Sequence, residues 1–278
     1  MTKKAGIVYC SPAGTTRHVA QVIENELKSR SADIITEDLA KGDGSEIISC
    51  IKTGEKPVLF IGSPVYAGRA IPPVMKFIAD LPKDSGICAV PFVTWGYVSS
   101  GIALHDLGKA LTEKGCVLLG AAKVGAVHSI MWSSDSPLGL GHPNADDDQM
   151  IRELVGKVLK KVNQSALSGI NLSDLAYQPE NLQTEMAKVT LEAAKGHMPQ
   201  KAVDEKRCTK CGICAEVCPV QTITLSPLPA FGNDCICCFN CVRECPESAI
   251  SADLAPLEKR IQDKAAKLAE QPFTKIFV

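Results

Sequence analysis

C-T-K-C-G-I-C-A-E-V-C-P-V-Q-T-I-T-L-S-P-L-P-A-F-G-N-D-C-I-C-C-F-N-C-V-R-E-C-P (residues 208–246) carries one template twice, C-x2-C-x2-C-x3-C-P. The first copy is Cys208, Cys211, Cys214, Cys218 and Pro219; the second is Cys235, Cys238, Cys241, Cys245 and Pro246. Nine of the chain's 13 cysteines fall in this window. Runs of this spacing hold [4Fe-4S] clusters, and the fourth cysteine of each run ligates the other run's cluster. Two clusters are therefore expected. Cys208, Cys211, Cys214 and Cys245 would hold one, and Cys235, Cys238, Cys241 and Cys218 the other.

The spacing has a physical reason. A tight x2 loop wraps three thiolates around three corners of a cubane and aims backbone N–H groups at sulfur. The fourth ligand comes from farther away, and proline then diverts the chain. The copies are offset by 27 residues, and the repeat extends beyond the cysteines to Pro219/Pro246 and Ile223/Ile250, which implies a pseudo-twofold core. A disulfide framework suits short secreted chains, and zinc sites show separate C-x2-4-C pairs rather than runs of four. Cys237 sits inside an x2 gap, where it reads as a spectator thiol or as a group that tunes the neighbouring cluster.

At 278 residues, with 45% hydrophobic content, the chain has room for one medium domain and one small one. A net charge of −1 gives no reason to expect nucleic acid or an anionic membrane surface as partner. The start, M-T-K-K-A-G-I-V-Y-C, shows no secretory core or cleavage site, and no apolar stretch has the length of a membrane span. A reducing cytoplasm is the expected location.

Upstream of the cysteines, short apolar runs alternate with amphipathic ones, the pattern of a parallel α/β sheet. Strands are expected at 5–10, 33–38, 57–62, 87–95 and 120–129, with Pro91 marking a bulge or a strand end. Helices are expected from Thr15 to about Lys28 and near 45–53, 72–81, 101–114 and 145–162. The last of these has Asn144 as N-cap, three aspartates in its first turn and lysines at its end. The expected division is 1–165, a connector at 166–200 with a helix at 181–195, and 201–278. A helix near 256–270 precedes a tail whose Phe273, Ile276 and Phe277 should pack back onto a domain.

Three loops follow strands. S-P-A-G-T-T (11–16) opens a helix, where backbone N–H groups and hydroxyls suit a phosphate. It has no P-loop lysine and no G-x-G-x-x-G. G-S-P-V-Y-A-G-R (62–69) and T-W-G-Y (94–97) follow the third and fourth strands, at the sheet edge where open α/β folds bind ligands. Tyr66, Trp95 and Tyr97 lie in these loops, and flat aromatics beside glycines suit a flat ring.

These loops resemble those of flavodoxins with bound FMN. With the cysteine runs, the chain resembles the flavodoxin–ferredoxin fusion proteins found mainly in anaerobic bacteria and archaea. The resemblance implies an α/β fold: a flavodoxin-like five-stranded parallel sheet of order 2-1-3-4-5, plus a small α+β two-cluster ferredoxin domain. It places the FMN phosphate on Ser11, Ala13, Gly14, Thr15 and Thr16. The isoalloxazine would lie between Ser63, Pro64, Val65, Tyr66, Ala67 and Gly68 on one side and Thr94, Trp95, Gly96 and Tyr97 on the other. The family loop commonly reads T-x-T-G-x-T, so Ala13 loses one hydroxyl donor. V-H-S (127–129) is also similar to the family, with His128 either near the flavin or in a structural hydrogen bond.

Three functions fit this reading. The first is intramolecular electron transfer between FMN and two [4Fe-4S] clusters, which would couple a low-potential one-electron carrier to a flavin. The second is a flavin reductase of a quinone or disulfide fed by the clusters, with a pocket formed by the 130–143 loop. The third is a redox-sensing binding protein whose flavin site has decayed. The expected partner is a redox protein, either a ferredoxin or an oxidoreductase, or a small electron acceptor.

Overall fold

The computed structural model describes residues 4–163 and 168–278. In chain order the elements are β1 (Lys4–Tyr9), α1 (Thr15–Ser29), β2 (Asp33–Asp38), α2 (Ser45–Lys52), β3 (Val58–Tyr66), β4 (Arg69–Ala70), α3 (Pro72–Asp80), β5 (Cys88–Trp95), α4 (Ala103–Glu113), β6 (Val117–Leu118), β7 (Ala121–Gly125) and α5 (Ala145–Val162). A 3-10 turn at Leu172–Leu175 follows. The rest is α6 (Glu180–Lys188), α7 (Leu191–Lys195), β8 (Ala202–Val203), α8 (Ile213–Glu216), β9 (Ile223–Leu225), β10 (Pro229–Phe231), α9 (Asn240–Arg243), β11 (Ile250–Ser251), α10 (Ala255–Leu268) and β12 (Lys275–Phe277).

The five main strands pair in parallel in the order β2-β1-β3-β5-β7, which is the flavodoxin-like order 2-1-3-4-5. The near-continuous apolar sequences of the inner strands β1, β3 and β5 reflect burial on both faces, whereas the edge strand β2 (D-I-I-T-E-D) is only partly buried. Val8, Leu59, Ile61 and Val93 face α2, α3 and α4, while Ile7, Phe60, Val90 and Phe92 face α1 and α5. The terminal tail packs back as the sixth strand. β12 pairs antiparallel with β7, Ile276 opposite Ala122.

Pro91 lies within β5 rather than at its end, opposite Ile61 of β3. The backbone groups of Ala89 point to the other side, where Ala89 O accepts from Leu119 N at 3.0 Å. By the two-residue period of a strand, Pro91 also faces that side. There the partner strand is interrupted between β6 and β7, so the missing N–H falls where the ladder is broken. At α5, Asn144 is the N-cap, as the sequence pattern anticipated, and it forms a capping box with Asp147.

The structure departs from the expected elements in three places. β3 runs to Tyr66, four residues past its expected end, and turns through Ala67 and Gly68 into β4. The last parallel strand stops at Gly125, so 126–129 is loop. The expected helix at 181–195 is two helices, broken at Val189. Val189 is extended, and Thr190 caps the second helix by accepting from Ala193 N. The boundary expected at residues 165 and 166 lies outside the described residues.

The cysteine segment repeats in backbone as well as in sequence. Lys210 and Cys237, Gly212 and Phe239, and Gln221 and Ser248 all have positive φ, and each pair is 27 residues apart. Helices α8 and α9 follow the same offset. The segment packs directly on the sheet unit: Ile236 is 2% exposed and joins its core, with Cys238 against it.

Candidate functional site

A cavity of about 560 Å³ opens beyond the carboxyl ends of β1, β3 and β5. Pro12, Ala13, Thr15 and Thr16 line one side. Pro64, Val65, Tyr66, Ala67 and Gly68 line a second, and Thr94, Trp95 and Gly96 a third. The roof does not come from the 130–143 loop, which contributes only Ile130. Met186, Val189 and Leu191 from the α6–α7 region form it, together with one face of α10: Leu257, Arg260, Ile261 and Lys264. Ile236 and Cys237 of the second cysteine run also reach the cavity.

The first wall is a helix N-terminus. Gly14 has φ +91°, a conformation that favours glycine, and His18 N donates to its carbonyl. Ser11 is buried behind the loop, where its Oγ accepts from Arg17 N at 2.9 Å. The opening N–H groups of α1 have no intrahelical partner, as at any helix start, and so favour an anion. Thr16 Oγ1 is 2.7 Å from Thr94 Oγ1, which joins this wall to the third.

The second wall is the β3–β4 hairpin. Positive φ at both Ala67 and Gly68 makes a two-residue turn whose twist matches the flanking strands. Ser63 lies beneath it, its Oγ accepting from Ile71 N at 3.0 Å and donating to Pro64 O. A side chain at Gly101 would collide with Gly68 backbone, so the hairpin tip and the 97–102 loop are held in contact. The Tyr66 hydroxyl is buried beside the cavity with Ser129 as its polar neighbour but no well-formed hydrogen bond, and burial pushes its titration far up. A polar group bound in the cavity would give it a full partner.

The aromatic residues of T-W-G-Y are arranged differently from a simple ring sandwich. Trp95 lines the cavity, but its Nε1 donates to Phe273 O at 2.8 Å. Tyr97 does not line the cavity. Its φ of +64° turns the ring onto Phe273, with centroids 4.0 Å apart, and toward His142.

The tail thus forms a strap under this wall, and a buried ion pair fixes it. Lys123, 1% exposed, donates to Glu270 Oε1 at 2.6 Å. Glu270 also accepts from Ser99 Oγ, Ser100 N and Ser100 Oγ. Burial pulls Lys123 below its ordinary value. Burial would raise the Glu270 carboxyl, but the Lys123 charge and the hydrogen bonds outweigh it and leave it lowered. Lys123 and Glu270 gave no sequence signal beyond a lone cation in an apolar strand.

His128 lines the cavity and packs on Gly96. Ile130 N donates to its Nδ1 at 3.3 Å, so the neutral ring carries its proton on Nε2. Burial pushes its pKa down to about 4.

In the cysteine segment, one hollow is lined by Cys208, Cys211, Cys214 and Cys245, three thiols from the first run and one from the second. Cys218 is an electrostatic neighbour of Cys238 and Cys241. Among the described residues, no three His, Cys, Asp or Glu side chains close on a point that one ion could fill. A cubane instead takes each thiolate on a different iron, so this spread donor set fits a cluster. Ala249 N donates to Cys245 Sγ at 3.2 Å and Cys237 N to Cys235 Sγ at 3.4 Å, bonds that favour bound thiolate. Cys235 is held below its ordinary value, first by the Cys237 side chain and then by Cys237 N–H and Lys201. Arg243, between ligand positions, donates from Nη2 to Pro12 O at 2.9 Å, across to the first cavity wall.

Comparison with known proteins adds to both parts. The 4Fe-4S binding domain family matches residues 201–224, which hold the first run. No curated protein is recognisably similar to the chain. Among solved structures, the chain is similar to the rubredoxin oxygen:oxidoreductase of Desulfovibrio gigas at 18% identity and TM-score 0.47. That match covers 64% of this chain and 38% of the other, so the chain spans less than half of that protein. It is similar to a flavodoxin from the domain Archaea at 21% identity and TM-score 0.44, over 58% of this chain and 99% of that one. It is also similar to the Megasphaera elsdenii flavodoxin at 22% identity and TM-score 0.42, over 56% and 98%. The strand order gives the chain a flavodoxin-like α/β unit, and the cysteine pattern with the family match joins to it a 4Fe-4S binding segment.

Proposed function

We propose that this chain transfers electrons within one molecule, between FMN held in the cavity and two [4Fe-4S] clusters held by the eight cysteines of the repeat. The observation that carries the proposal is the shared wall: Ile236 and Cys237 of the second run line the same cavity as the flavin-type loops. A flavin exchanges one or two electrons and each cluster exchanges one, so their union matches a two-electron couple to one-electron carriers. The protein supplies placement. The α1 N-terminus and Thr15 would receive the phosphate, while the β3–β4 hairpin and Trp95 would bound the ring. The α6–α7 region and α10 exclude water from above. No residue is required as an acid or base.

The two cysteine quartets differ in access. Cys211 is exposed and Leu225 beside it is 45% exposed, whereas the second run faces the cavity. That contrast supports an outer first cluster meeting a redox partner, such as a ferredoxin or an oxidoreductase, and an inner second cluster serving the flavin. Among the described residues no helix is long and apolar enough to cross a membrane. A reducing cytoplasm is the location in which free thiols and clusters persist.

One observation favours a second reading, a flavin reductase of a small acceptor. The cavity lining includes Lys188, Arg260 and Lys264 and no carboxylate, which suits an anionic acceptor under the roof. Steady turnover of a soluble quinone or disulfide would select it. The redox-sensor reading requires a site that no longer binds flavin.

Anaerobic purification with iron and flavin counts tests the proposal. It expects about eight irons and about one FMN per chain. Four irons, or no flavin after FMN is added, would overturn it. In stopped-flow reduction by a low-potential one-electron donor, flavin bleaching should be independent of protein concentration and lost in Cys238→Ser.

A further inference from the structure

Lys201 lies outside both cysteine runs, just before β8. Its Nζ donates to Cys235 Sγ at 3.4 Å. The ammonium sits between two aromatic rings, 5.1 Å from the Phe231 centroid and 4.9 Å from that of Phe239. Ring faces attract a cation and shield it from water, so the charge is held in place rather than swept through solvent. Among the described residues no other lysine or arginine donates to a sulfur of either cysteine run. The first run lacks the cage as well: the position equivalent to Phe239 is Gly212, and Lys210 is exposed.

Reduction of a cluster adds one negative charge. A less solvated cluster resists that charge more than an exposed one, and hydrogen bonds and positive charge at the sulfurs oppose the resistance. The second run is the one turned inward, with Ile236 in the core of the sheet unit. It is also the one that carries the caged cation.

We propose that Lys201 sets the potential of the inner cluster. Its positive charge on Cys235 favours the reduced form of the cluster held by the second run and leaves the first run's cluster unchanged. The outer cluster can then pass its electron inward, although burial works against charge there. Each transfer is one electron from the reduced outer cluster to the oxidised inner one, with no proton moved. The proposal rests on the two-cluster reading above.

The test is a redox titration of anaerobic, full-length protein with dithionite, each cluster being followed by its low-temperature electron paramagnetic resonance. Lys201→Met removes the charge and keeps an apolar stem between the rings; Lys201→Gln, titrated beside it, controls for a packing defect of the methionine. In both, one cluster should become harder to reduce by at least about tenfold, or about 59 mV for a one-electron couple. The other cluster should not move, and Lys201→Arg should restore most of the shift. In a Cys211→Ser background, which removes the outer cluster, the shift should persist. Equal shifts in both clusters, no shift in either neutral variant, or no recovery with arginine would overturn the assignment. Four irons in the unsubstituted protein would instead sink the two-cluster reading itself, whereas eight irons with unshifted potentials would sink only the role of Lys201.

Discussion

The two copies of the cysteine repeat share a backbone and differ in everything around it. Three pairs of positive-φ positions and one helix per copy are conserved across the 27-residue offset. The residues between the ligands are not. Thr209 is exposed, but its equivalent Ile236 is buried in the core of the sheet unit. Lys210 is exposed, but Cys237 lines the flavin-type cavity. Glu216 of the first copy is matched by Arg243, which reaches Pro12 O. Ligand spacing therefore determines the local turns, and the non-ligand positions determine what each copy faces.

The sharpest break of that comparison lies at the neighbouring thiols Cys237 and Cys238. Cys238→Ser should remove one cluster, about four of the expected eight irons. Cys237→Ser should leave the iron count unchanged, because Cys237 faces the cavity. Equal iron loss in both variants would show that the second copy is read in the wrong register.

The next contrast is packing. Ile236→Ala should cost about 2–5 kcal/mol, because it empties a site that is 2% exposed within the core. Thr209→Ala, at the equivalent exposed position, should stay within about 0.5 kcal/mol. Anaerobic denaturant unfolding of the two variants measures the difference. Similar costs would mean that the copies do not differ in burial as described.

The same distinction explains what could be read from the sequence. The sheet was legible because five apolar runs alternate with amphipathic ones, and the ligand runs were legible because their spacing is fixed by the cluster. Tyr97 looked like a ring partner from its place after a strand. Its positive φ, which no local pattern announces, turns it onto Phe273 of the tail. The break at Val189 had a usable signal, since Thr190 followed by L-E-A-A is a helix start. The roof had none: the apolar faces of α6 and α10 are visible in their periodicity, but periodicity does not say what a face covers. Nor did an isolated lysine in β7 and a glutamate 147 residues later announce a buried pair.

A smaller effect is expected where the second copy touches the first cavity wall. Arg243→Met removes the hydrogen bond to Pro12 O and should weaken FMN binding about tenfold, the equivalent of ~1.4 kcal/mol. Glu216→Met, its counterpart in the first copy, should leave FMN affinity unchanged. Fluorescence titration of flavin-free protein with FMN reads both. A loss of affinity in Glu216→Met as large as that in Arg243→Met would remove the distinction between the copies at this position.

The weakest effect concerns the lining of the cavity that the second copy reaches, where His128 is kept neutral by burial at a pKa of about 4. Its unfolded value is about 6.5. Between these values the unfolded chain binds the extra proton and the folded chain does not, so stability rises with pH across the window. The contribution is complete above about pH 6.5 and lost progressively toward pH 4. From pH 7 to pH 5.5 it should fall by about 1 kcal/mol. His128→Asn keeps an acceptor for Ile130 N and cannot titrate. Other acid-sensitive groups, the cluster thiolates included, are common to both proteins and cancel in the difference. The unfolding free energy of the wild type should therefore fall by about 1 kcal/mol more than that of the variant over this interval. Parallel pH curves would mean that the imidazole is open to water and takes up a proton when folded.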